Sequence, residues 1–295
     1  MRWISAFLML GLGTVPAAWG EKAKAEGALV APTSPRSSSG DSSAPSVAQQ
    51  NGGAVDSTAI TEATEAGRQI AVPTADRPAY VVTYAKGQHD FGSVLATEKT
   101  AAPEALDQQM ERALAQQHYL RADASHPPAY LMVFTWGSHR APIEPNDETG
   151  YRNLLDRAAL VGGNGFASEL KKVLEENQTT ADATSTRAWG AQLPGYSPVS
   201  AASIFQSVSP IERFRRRNQK TEDLLIQVSR DCYYVLISAF DYASVGKGKS
   251  QLLWRTKLTT TAPGNSLAEA IPTLIANGGG YFGRSMTEAE LFSSH

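Results

Sequence analysis

Apolar side chains crowd both sides of one short stretch, Ala129–Trp136 (AYLMVFTW). There Tyr130, Met132, Phe134 and Trp136 point one way and Leu131 and Val133 the other. An element apolar on both faces predicts a central strand. Ala79–Ala85 (AYVVTYA) reads as a second strand by its β-branched and aromatic content. Between them, residues 103–118 place Leu106, Met110, Ala113 and Leu114 on one face of a helix that Pro103 opens.

The pattern then becomes helical over about 147–177, broken at Gly162-Gly163-Asn164-Gly165, before a polar stretch over 178–203 that reads as a loop. Thr221–Val228 adds a short helix. Tyr233–Tyr242 and Gln251–Thr259 are strands joined by a Gly- and Lys-rich turn, which predicts an antiparallel hairpin. Ser266–Ala276 is a helix with Leu267, Ala270, Ile271, Leu274 and Ile275 on one face. Ser266 with Glu269 forms a capping box, and Gly278-Gly279-Gly280 ends the helix. This order predicts an α+β fold, a two-layer sandwich. Its mixed sheet has about four strands and helices on one face, with a helical insertion at about 141–229.

Residues 21–78 differ in texture. They are rich in Ala, Ser, Thr, Gly and Pro and contain no Phe, Tyr or Trp. Such a segment buries too little apolar surface to offset its ordering entropy, so it reads as a disordered leash ahead of a single domain over 79–295. Residues 1–20 read as a secretory signal peptide. Arg2 supplies the positive start, Ile4–Val15 the short apolar run, Pro16 the break and Ala18-Trp19-Gly20 the small residues near the cut. The chain is therefore expected in the periplasm or secreted, with no transmembrane segment after cleavage.

Composition narrows the class. A net charge of −2 with 42% hydrophobic residues excludes a strongly basic nucleic-acid binder. The single cysteine, Cys232, excludes an intramolecular disulfide, so burial must hold the domain together. No cysteine lies near the cleavage region to carry an acyl anchor.

Candidate chemistry is sparse. Gly246-Lys247-Gly248-Lys249-Ser250 superficially matches a phosphate-binding loop, but a strand rather than a helix follows it. Gly264-Asn265-Ser266-Leu267-Ala268 resembles a degraded nucleophile elbow, with Ser266 already placed as a helix cap. The five histidines show no metal-ligand spacing. Arg213-Phe214-Arg215-Arg216-Arg217 is a dense basic run, which reads as a solvated helix end or as a patch for an acidic partner. Gly162–Gly165 could cradle an anion, though ending one helix and starting the next accounts for it more simply. No catalytic residue, cofactor or metal follows from these motifs.

The runs YYVLISAFDY and QLLWRTKL, with ALDQQMERALAQQHYLRADASHPPAYLMVFTWGS before them, resemble a family of uncharacterised bacterial envelope proteins. That family pairs a strand carrying "YD" with one carrying "LWRG". The likeness spans residues 79–140 and 230–283, and Asp241, Tyr242, Leu253, Trp254 and Arg255 match best. It implies a compact α/β domain, mostly found on lipoproteins of unknown function. This chain departs from it in lacking the lipobox cysteine, in its insertion at 141–229, and in Thr256 where the family has glycine.

The expectation is an exported, non-enzymatic binding or assembly module whose partner is an envelope protein or cell-wall component. Trp136, Trp254, Arg255, Tyr281 and Phe282 are the candidate partner-binding positions, although core packing accounts for the two tryptophans equally well. The alternative is an envelope hydrolase with Ser266 or Cys232 as nucleophile.

Overall fold

The alternation over Ala129–Trp136 becomes an interior strand in the computed structural model, which describes residues 57–91, 102–140, 148–190 and 210–293. This strand, β4 (Tyr130–His139), lies between β2 (Ala79–Gln88) and β5 (Cys232–Asp241). It runs parallel to the first and antiparallel to the second. The expected hairpin is present: β5 pairs antiparallel with β6 (Leu252–Thr261). Its connection contains a helical turn, α7 (Tyr242–Val245), capped by the Asp241 side chain accepting from Ser244 N at 2.7 Å.

The fold is α+β with a mixed sheet, but the sheet has seven strands rather than about four, in the order β3-β2-β4-β5-β6-β1-β7. The three additions are β1 (Ser57–Ala63), β3 (Tyr119–Arg121) and β7 (Glu290–Phe292). Two of them are only three residues long, too short to show a period. β1 places folded structure from residue 57, ahead of the expected start at residue 79. Its sequence, STAITEA, carries one large apolar side chain, and the hydroxyls pair instead of packing. Thr58 and Thr259 share a hydrogen bond at 2.5 Å, and Thr61 and Thr256 one at 2.7 Å. A buried polar strand satisfied in this way lacks the hydrophobic signature that marks a strand. The short helix α1 (Glu65–Arg68) follows, with Thr64 as its N-cap. The signal peptide and the leash up to residue 56 lie outside the described residues.

Helices also cover both faces of the sheet, not one. On the first face, α2 (Pro103–Gln116) and α8 (Leu267–Gly278) lay Leu106, Met110, Leu274 and Ile275 on Met132, Phe134, Val235 and Leu258. On the second face, the region 141–229 supplies α3 (Glu148–Val161), α4 (Gly163–Gly190), α5 (Pro210–Arg215) and α6 (Gln219–Ser229). Part of the stretch expected as a polar loop after 178 is thus helix, to Gly190. Ile60 of β1 joins Val161, Leu170, Phe214 and Leu224 in a second core, so the insertion is held by a strand from within the expected leash.

The break between α3 and α4 is narrower than the glycine run suggested. Only Gly162 separates the two helices, and Gly163 takes φ 87°, where an added Cβ would stand 2.7 Å from Ile60 Cδ1. No helix among the described residues is long and apolar enough to cross a membrane.

Candidate functional site

The second helical layer covers β1, β6 and part of β5 but stops short of β2, where Val82 and Tyr84 stand exposed. Along this boundary lies a cleft of about 530 Å³ between the sheet and α3.

One side of the cleft is built by the end of β2. A bulge between Ala85 and Gly87 shifts the register, and Gly87 takes φ 98°. Beyond it the chain keeps to β4. His89 N donates to Trp136 O and Phe91 N to Ser138 O, both at 2.8 Å. Asp90 Oδ1 accepts from Ser138 N at 2.7 Å and from Ser138 Oγ at 2.9 Å. Gly137 permits this approach, since a Cβ there would stand 1.9 Å from His89 O. Tyr234 Oη, from β5, donates to the same carbonyl at 2.5 Å.

These bonds fix an aromatic group in the cleft. Phe91 lies 5.3 Å from the His139 ring, 5.8 Å from Tyr234 and 4.5 Å from His89. The opposite wall is Asp156, Ala159 and Leu160 of α3, and Thr135, Leu236 and Lys257 line the sheet side.

The polar groups differ in availability. Lys257 Nζ contacts Glu62 Oε2 at 2.7 Å and donates to Ala159 O at 2.8 Å, so its charge is matched. The Thr135 hydroxyl donates to Gly87 O at 2.7 Å, and the Tyr234 hydroxyl is committed to His89 O. Lys86 and Asp156 are exposed at the mouth. Apolar and aromatic walls with a few oriented polar groups are the usual form of a small-molecule site.

His139 is only 4% exposed, and its imidazole is pushed down to about 4 by burial first and then by the neighbouring Arg157 guanidinium. Unfolded, it titrates near about 6.5. The fold therefore favours the neutral ring. The stability this gives is complete above pH about 6.5 and is lost as pH falls through about 4, by about 3 kcal/mol. Denaturant melts of wild type and His139→Gln between pH 7 and 4 should show a steeper acid loss for wild type by that amount. Parallel profiles would refute the assignment.

The residues singled out in the sequence lie elsewhere. Trp136, Trp254 and Phe282 are buried in the first core, and Tyr281 packs half-buried against it. Strand alternation turns both tryptophans toward α2 and α8, so neither is a surface anchor. Arg255 lies on the other face, with Nε donating to Ser238 Oγ at 3.0 Å.

Cys232 is buried, and its thiol is pushed up to about 11 by burial. That keeps it protonated at neutral pH, where a thiolate would be the nucleophile. Ser266 precedes α8, but its Oγ donates to Glu269 Oε2 at 2.8 Å and makes no cap bond, so the capping box is replaced by a side-chain pair. The basic run is tied down by ion pairs. Arg213 meets Glu176 and Arg217 meets Glu169, both at 2.9 Å, and Arg215 meets Glu212 at 2.8 Å. Of the Gly162–Gly165 run, Asn164 alone meets an anion, and it belongs to this chain: its backbone N donates to Glu62 Oε1 at 2.7 Å and its Nδ2 to Glu62 Oε2 at 3.0 Å.

The cleft itself was not apparent in the sequence. Its available signals were Lys86-Gly87, which marks the bulge, and Gly137 in an otherwise bulky strand. Among the described residues no group of three or more His, Cys, Asp or Glu side chains could hold a metal ion. No protein-family model matches the chain, and no curated protein matches it.

Proposed function

We propose that this chain is an exported protein of the bacterial envelope whose folded domain is a non-enzymatic binding module, with the cleft beside α3 as its ligand site. The observation that carries the reading is the cleft's construction. Its aromatic wall is held by five hydrogen bonds to or from β4 and Tyr234, and its lining hydroxyls are spent on backbone carbonyls. Rigid elements with satisfied polar groups favour holding a molecule over attacking one. The apolar run at residues 4–15 and the likeness of 230–283 to envelope proteins support export.

The test uses the processed protein recovered from the envelope fraction, mixed with the small-molecule fraction of an envelope extract. A rise in melting temperature is expected for wild type and not for Ala159→Trp, which fills the cleft. An equal response of both proteins, or none, would overturn the cleft as the site. Recovery of only the unprocessed chain from the cytosol would overturn export.

A further inference from the structure

Arg157 is the least satisfied side chain among the described residues. It sits on α3 between the cleft-lining Asp156 and Ala159 and is fully buried, yet none of its three guanidinium nitrogens has a hydrogen-bond partner. A buried cation without acceptors is among the costliest arrangements a core can hold. The nearby Asp231 carboxylate favours its charge but makes no hydrogen bond to it, and Asp231 Oδ2 meets Arg140 at 3.1 Å. Asn153, one turn earlier on α3, leaves its Oδ1 without a donor and is not bonded to the guanidinium. Gln227 is buried on α6, which packs on α3, and its Nε2 also lacks an acceptor. Donors are thus in excess behind the α3 wall.

His139 lines the cleft, whereas Arg157 does not. Its ring lines the cleft against Phe91, and the Arg157 charge is near enough to depress its basicity. Elsewhere the cleft is balanced. Lys257 is matched by Glu62, and Lys86 and Asp156 at the mouth carry opposite charges. The inner wall therefore sets the sign.

We propose that the cleft's ligand is an organic oxyanion, with its acid group at the His139 end, drawn by the buried charge of Arg157 behind the lining, and its apolar body against Phe91, Tyr234, Leu160 and Leu236. A carboxylate or a phosphate ester supplies the same chemistry, a compact negative charge on oxygen facing a buried positive one. The inference rests on the cleft being a ligand site.

The experiment titrates the full chain with benzoate, phenyl phosphate, benzyl alcohol and inorganic phosphate at matched ionic strength, following the imidazole resonances of the histidines by NMR. Benzoate or phenyl phosphate should move His89 and His139 and leave His118 and His126 in place. Affinity for that anion should exceed that for benzyl alcohol by about tenfold or more, the size of a charge-assisted hydrogen bond. Arg157→Met should fold, melt no lower than wild type, and lose the preference.

Equal binding of benzyl alcohol and benzoate at the same histidines would overturn the oxyanion and leave the cleft standing. Inorganic phosphate binding as well as phenyl phosphate would overturn the organic body. An unchanged preference in Arg157→Met would remove Arg157 from the site. No response of His89 and His139 to any probe would overturn the cleft reading itself.

Discussion

A chain that begins at Ala79 is expected not to fold. The loss removes β1, an interior strand that pairs with β6 over seven residues and with β7 over three. Ala59 and Ile60 leave the two cores, and the hydroxyls of Thr256 and Thr259 lose their partners inside the sheet. β7 is left with no neighbour, and the edge of β6 is laid open. Buried unpaired hydroxyls and lost apolar contacts each cost about 1–3 kcal/mol. Their sum exceeds the lower end of domain stability, about 5 kcal/mol. Circular dichroism melts should show a cooperative transition for residues 51–295 and none for 79–295. A cooperative melt of the shorter chain would mean that β1 is an accessory strand.

Trp136→Ala is expected to destabilise the domain by about 3–5 kcal/mol, as large-to-small changes of buried aromatic residues do. Trp136 is 2% exposed and stacks on Phe134 at 5.6 Å, at the centre of the first core. Its indole nitrogen has no hydrogen-bond partner, so Trp136→Phe should cost far less than the alanine change. Urea midpoints at pH 7 measure both. A cost below about 1 kcal/mol for Trp136→Ala would mean that the side chain is not packed as described. Loss of partner capture without loss of stability would restore it as a surface anchor.

The sequence was most legible where one face of an element was apolar and the other was not. The α2 stripe Leu106, Met110, Ala113 and Leu114 is buried as its period predicts, and so is Leu267 to Ile275 on α8. It was least legible where polar side chains are buried in pairs. Thr58 and Thr61 fell within the expected leash, but they are buried and pair across the ladder with Thr259 and Thr256. Glu62 and Lys257 likewise carry no signal along the chain, because they meet at 2.7 Å only across the β1–β6 ladder.

The site was hidden for a different reason. His89, Phe91, His139 and Tyr234 meet only because β2 and β5 flank β4, and that neighbourhood belongs to topology, not to spacing along the chain. Arg157 left no mark in the sequence, because an arginine amid Leu155, Asp156 and Leu160 on an amphipathic helix is ordinarily solvated.

β1 has one further consequence. Its partner threonine lies 201 residues away, and its other neighbour, β7, closes near the opposite end of the chain. Contacts of such high order make folding slow, and β1 must wait for β6 before its threonine hydroxyls are paired. The sheet is therefore completed only once residues 252–292 are in place.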